Sequence, residues 1–134
     1  MAVVKSESRA VARGEDVVLV RQLVREWSIA AGFSLVDQTK LVTAASELAR
    51  NLVEYGGGGT VRLEALNDGA KRGVRVFFED QGPGIPDIAQ ALRDGFTTGD
   101  GLGLGLGGAK RLVNDFDIQS RPGEGTTIMI ARWK

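Results

Sequence analysis

The chain contains neither cysteine nor histidine. Without cysteine there is no disulfide, no thiolate zinc site and no thiol nucleophile. Without histidine there is no Ser-His-Asp triad, no imidazole metal ligand and no phosphohistidine intermediate. Acid–base chemistry therefore falls to carboxylates, lysine or the single tyrosine, Tyr55. Excess charge is also missing: 17 lysines and arginines balance 17 aspartates and glutamates. That balance gives no sign of a DNA-binding surface or an acidic tail, so no nucleic-acid partner is expected, although a local basic patch stays open. No apolar run approaches a transmembrane span, and the start Met1-Ala2-Val3-Val4-Lys5-Ser6 has no signal-peptide core. A cytoplasmic protein without membrane contact is expected. Two familiar nucleotide motifs are absent as well. There is no G-x-x-x-x-G-K-[ST], and no V-A-I-K or H-R-D accompanies a glycine-rich loop.

Glycine is abundant instead. Nine of 19 glycines fall between Gly82 and Gly108. Glycine costs backbone entropy wherever it sits, so this density calls for a purpose. Backbone without Cβ atoms can approach a ligand, and its N–H groups can serve as phosphate donors, most effectively at a helix N-terminus. A nucleotide site with a glycine-hinged lid is the working reading; a plain loop is the alternative. A linker fits poorly, because strand and helix patterns flank the segment closely. Gly103, Gly105 and Gly108 spell G-x-G-x-x-G. A loop from Gly95 to Leu102 precedes them in place of a strand, so the dinucleotide fingerprint is accidental.

The 134 residues, 43% hydrophobic, suit one domain over 1–134. Residues 2–13 have a β-like pattern and suit an edge strand. Val17, Val20, Val24, Trp27 and Ala31 recur at helical spacing and predict a helix over 16–31, with Asp16 as N-cap and Gly32 as stop. A second helix is expected from Ser34, where Ser34 and Asp37 resemble a capping box. Its apolar stripe is Leu41, Ala44, Leu48, Leu52 and Tyr55, and Gly56 to Gly59 end it. Glu47 and Asn51 lie one turn apart beside that stripe, about 40° around the axis, and can point into one small volume. A solvated polar face is the other outcome for such a pair.

Val61, Leu63 and Ala65, then Val74, Val76 and Phe78, predict a hairpin around Asn67-Asp68-Gly69. Asp80 continues the parity of Val74, Val76 and Phe78, so its carboxylate faces the covered side and needs a donor. Capping the Gly82-Pro83-Gly84 turn is the alternative role. Asp87 to Arg93 suit a short lid helix and Gly107 to Asn114 another helix, with Ala109, Leu112 and Val113 apolar. A second hairpin closes the chain: Phe116 and Ile118, the turn Arg121-Pro122-Gly123-Glu124-Gly125, then Ile128 and Ile130. Thr126 shares the parity of Ile128 and Ile130 and can join Asp80 on the ligand side.

Four motifs in this order carry a resemblance. They are E-x-x-x-N at Glu47 and Asn51, D-x-G-x-G at Asp80, Gly82 and Gly84, the Gly-Leu-Gly-Leu-Gly run ending near Gly108, and the Gly-Thr pair at Gly125 and Thr126. Together they resemble the Bergerat (GHKL) ATP-binding fold of gyrase, Hsp90, MutL and the histidine kinases, over nearly the whole chain. Four segments look like the RsbT-type switch serine/threonine kinases of the bacterial stressosome, relatives of the anti-sigma-factor kinases. These are Ser46-Glu47-Leu48-Ala49-Arg50-Asn51, Asp80 through Gly84-Ile85-Pro86-Asp87, Gly95-Phe96-Thr97-Thr98 and the terminal Arg132-Trp133.

The resemblance implies an α/β (α+β) two-layer sandwich, with a mixed, mainly antiparallel sheet covered on one face by helices and ATP between the helices and the lid. It implies Glu47 as catalytic base, Asn51 as the Mg²⁺ ligand and Asp80 as acceptor for the adenine amino group. The nucleotide set it implies is Asn51, Asp80, Gly82, Gly84, Ile85, Gly101, Gly103, Gly105, Gly107, Gly108 and Thr126. It further implies serine or threonine hydroxyls on STAS-domain scaffold proteins as substrates, and an output protein, commonly a PP2C-type phosphatase, as the partner of the released kinase. An anti-sigma factor kinase is the main rival. An ATPase module, a silent interaction module and a histidine kinase follow. The chemistry agrees independently: phosphoryl transfer needs positioning, a metal and charge neutralisation, and magnesium needs only one or two protein ligands. Arg50 can pair with Glu47 or with a phosphate, while Lys110 and Arg111 are phosphate candidates or plain surface charges.

Overall fold

The computed structural model describes residues 1–82, Gly84, Leu92 and 105–134. Its elements run β1 (Ala2–Val11), α1 (Gly14–Ala30), α2 (Leu35–Glu54), β2 (Gly59–Asn67), β3 (Arg72–Asp80), α3 (Gly105–Arg111), β4 (Asp115–Arg121) and β5 (Gly125–Trp133). The strands form one sheet in the order β1-β2-β3-β5-β4. The expected edge strand is there, as β1. Every neighbouring pair among the described residues is antiparallel, so the mixed component expected of the sheet does not occur in them. The hairpins β2–β3 and β4–β5 can pair no other way, because a parallel neighbour needs a crossover connection.

Helical and strand periodicities meet in one core. Val20, Val24 and Trp27 of α1 and Leu41, Ala44, Leu48 and Leu52 of α2 pack over Val61, Leu63, Val74, Val76, Phe78, Ile128 and Ile130. The other sheet face is polar. There Arg62 and Arg75 lie over the ring of Phe77, with guanidinium carbons 4.2 and 5.5 Å from its centroid, and Arg75 pairs with Glu64 at 2.7 Å. These residues stand directly opposite one another in the β2–β3 register, so alternation alone supplies both an apolar and a charged face.

The helix ends depart from expectation in detail. The N-cap of α1 is Arg13, and Asp16 sits one turn in. Its carboxylate reaches back to accept the N–H groups of Ala12 (2.8 Å) and Arg13 (3.0 Å), which holds it below the usual carboxylate range. Gly32, at φ +83°, ends the turn as expected. Ser34 caps α2 by accepting Asp37 N–H at 3.1 Å. Asp37 does not complete the box; its carboxylate accepts from Arg132 of β5 (2.6 Å), and Arg132 also donates to the Leu112 carbonyl (2.8 Å). Tyr55, expected on the buried stripe, is 41% exposed, because α2 stops at Glu54 and the chain turns away. Helix α3 begins two residues earlier than expected and ends at Arg111, so Leu112 and Val113 follow it, half-buried against the core. No helix among the described residues is long and apolar enough to cross a membrane.

Candidate active site

The site is assembled where the C-terminal end of α2 meets the end of β3. Asp80 is the last residue of β3 and lies opposite Thr126 of β5 and Gly59 of β2. The parity argument therefore holds: Asp80 and Thr126 share the helix-covered side. The half-buried Asp80 carboxylate has two environments. Oδ1 accepts the Gly82 N–H at 2.8 Å, which is the turn-capping role. Oδ2 lies against Gly56, where an added Cβ would come within 2.6 Å of it. Gly125, at φ +84°, presses on the Asp80 carbonyl so closely that no side chain fits between them. The two glycines thus seat the strand end that carries the acid.

Asn51 is tied to the same point through the backbone. Its carbonyl accepts the N–H groups of Tyr55 (2.9 Å) and Gly56 (3.2 Å), and Gly56 is the residue that abuts Asp80. Glu47 lies one turn earlier on α2 and is only 1% exposed. A buried carboxylate needs a donor, and Arg50 supplies it: Nη1 stands 3.2 Å from Oε2. Of the two roles open to Arg50, the structure shows the Glu47 pair. Thr126 is buried, with its hydroxyl 2.7 Å from Ser120 Oγ, and Ser120 in turn donates to the Gly125 carbonyl at 3.2 Å. Ser120 was not among the expected residues. Its signal is the cross-strand pairing Ser120 with Thr126, readable once the hairpin register is known.

Gly84, at φ +78°, packs on the Arg121 carbonyl, so the D-x-G-x-G turn leans on the β4–β5 turn. Gly105, Gly107 and Gly108 lie in α3, which packs against α2. Ile85, Gly101, Gly103 and the expected lid helix, apart from Leu92, lie outside the described residues. Lys110 and Arg111 stand exposed on the last turn of α3. A separate groove, lined by Trp27, Lys5, Arg72 and Gly73, sits at the opposite end of β3 from Asp80 and contains none of the candidate residues.

The residues suit ATP and magnesium. Asp80 offers an acceptor at a point that two glycines keep clear of side chains. Among the described residues no cluster of three acidic, histidine or cysteine side chains forms a protein cage for a metal. What α2 offers is one amide oxygen, that of Asn51, and a single protein ligand suits magnesium when phosphates and waters complete its shell.

Residues 36–134 match the family described as histidine kinase-, DNA gyrase B-, and HSP90-like ATPase. The chain is 48% identical over 118 residues to the serine/threonine-protein kinase RsbT of Bacillus subtilis, covering 88% of this chain and 89% of that protein. It is 32% identical over 104 residues to an anti-sigma F factor of Bacillus licheniformis, covering 72% of this chain and 69% of the relative. The crystal structure of the RsbU and RsbW domains of Rv1364c from Mycobacterium tuberculosis shares the fold, with a TM-score of 0.63 at 22% identity; the match covers 96% of this chain and 32% of that one. By these matches the chain belongs to the histidine kinase-, gyrase B- and HSP90-like ATPases, and within them to the RsbT-type serine/threonine protein kinases.

Proposed function

We propose that residues 1–134 act as one cytoplasmic unit that phosphorylates serine or threonine on STAS-domain scaffold proteins. Once released from the scaffold, the kinase binds and activates an output protein, commonly a PP2C-type phosphatase. In this reading Asp80 accepts a hydrogen bond from the adenine amino group. Gly82, Gly84, Thr126, Ile85 and the glycines at 101, 103, 105, 107 and 108 line the nucleotide. Asn51 holds magnesium, which supplies charge neutralisation on the phosphates when bound. Glu47 takes the proton that the acceptor hydroxyl gives up as its oxygen bonds to the γ-phosphorus and ADP leaves. The observation that carries the reading is the placing of Asp80 directly opposite Thr126, with the α2 terminus packed on its carboxylate through Gly56.

The test is mass spectrometry of candidate STAS proteins after incubation with the chain and Mg-ATP, with Glu47→Gln alongside. The wild type should add phosphate to a serine or threonine, and Glu47→Gln should do so at least about 100-fold more slowly while still binding ATP. A wild-type rate in Glu47→Gln removes Glu47 from the mechanism. Tight partner binding without transfer by the wild type points to an interaction module. An anti-sigma-factor kinase is the second reading, supported by the resemblance to anti-sigma F factors. Pull-downs against a sigma factor and against a PP2C-type phosphatase separate the two.

A further inference from the structure

We infer that Arg50 is a positioning residue for the transfer, holding one oxygen of Glu47 so that the other is presented to the acceptor hydroxyl. The inference rests on the reading of Glu47 as base. Arg50 follows Glu47 by three residues on α2, which sets the two side chains on one side of the helix. Their exposures differ sharply: the Glu47 side chain is 2% accessible and that of Arg50 is 27%. The pair therefore runs from the core to the surface. Among the described residues Arg50 is the one hydrogen-bond donor to this carboxylate, and it reaches Oε2. Oε1 accepts nothing from them.

One oxygen held by a donor and one without a donor among the described residues is the arrangement a general base needs. The guanidinium restrains the carboxylate through one hydrogen bond, while a lone pair remains for the proton. If Arg50 instead turned outward to a phosphate, Glu47 would be left buried with no donor, at a substantial cost. A lysine in its place keeps the charge but loses the planar, directional guanidinium donor.

The experiment uses Arg50→Gln and Arg50→Lys in the full chain, with single-turnover and steady-state phosphorylation of the STAS acceptor found as above. Thermal melting and ATP calorimetry show that each variant is folded. For Arg50→Gln the transfer rate should fall about 10- to 150-fold, the range carried by a hydrogen bond to a charged group, with KM for ATP held within about twofold. Arg50→Lys should recover part of the rate. In a Glu47→Gln background Arg50→Gln should cost little more, since both act through one carboxylate. A rise in KM for ATP with the rate preserved, in either variant, overturns the inference in favour of a phosphate contact. Equal losses in both backgrounds also overturn it, because Arg50 would then act independently of Glu47. If Arg50→Gln does not fold, the split between rate and KM in Arg50→Lys decides alone. Failure of the base reading shows separately, as a wild-type rate in Glu47→Gln with Arg50 intact.

Discussion

Replacing Asp80 by asparagine tests adenine recognition with little change of shape. The carboxylate has two jobs, and the substitution separates them. Oδ1 caps the turn by accepting the Gly82 N–H at 2.8 Å, and an asparagine carbonyl can keep that bond. The amide then turns its NH₂ toward the side where Oδ2 now lies, beside Gly56. An adenine amino group meeting that NH₂ finds a donor in place of an acceptor. A lost hydrogen bond to a charged group is worth roughly 1.5–3 kcal/mol, or about a 10- to 150-fold weaker Kd for ATP. Stability should move little, because the turn keeps its cap. Gly56→Ala should reproduce part of the loss by another route, since its Cβ would stand 2.6 Å from Oδ2 and displace the carboxylate. The assay is calorimetry with ATP and GTP, accompanied by thermal melts. ATP should bind better than GTP to the wild type, because guanine presents a carbonyl where adenine has its amino group. Unchanged ATP affinity in Asp80→Asn, with the protein folded, refutes the role.

Gly125→Ala should destabilise the fold by more than the roughly 1–3 kcal/mol of its φ +84° strain, because the Cβ also overlaps the Asp80 carbonyl; urea midpoints measure it. Asn51→Asp should impair transfer and alter its magnesium dependence, read from rates across a magnesium titration; a wild-type titration curve argues against Asn51 as ligand. Asp37 is held below the usual carboxylate range by the hydrogen bond from Arg132. Its folded-state value being depressed, the pair contributes fully above the ordinary aspartate value and loses its contribution as pH falls through the lowered one. Asp37→Asn should therefore cost about 1 kcal/mol at neutral pH, and the difference should vanish in acid, as denaturant midpoints from pH 7 downward can show.

Much of the architecture was legible because it depends on period and parity. The stripes of α1 and α2 are buried as a 3.6-residue repeat requires, and the alternation in β2, β3 and β5 separates the apolar face from the arginine-lined one. The same parity put Asp80 and Thr126 on one side of the sheet. Helix ends were less legible. An aspartate serves equally well at N-cap or one turn in, which is why Asp16 was misplaced, and Tyr55 continues the buried stripe in sequence although α2 has already ended.

The local chemistry of the chain determined which residue types could act. With no cysteine or histidine, acid–base work falls to carboxylates, lysine or Tyr55, and the spacing of Glu47 and Asn51 puts them one helical turn apart. Only the tertiary structure decided how these groups meet. The adjacency of β5 to β3 sets Thr126 against Asp80, although β4 lies between them in the chain. The seat of Asp80 depends on Gly56 and Gly125, which are remote from it in sequence and lie where backbones approach too closely for a Cβ. The pairing of Arg50 with Glu47 goes with burial. A carboxylate on a solvated helix face needs no particular donor, but one enclosed by the core takes the guanidinium within reach, and burial arises from packing across the sheet rather than from any local pattern.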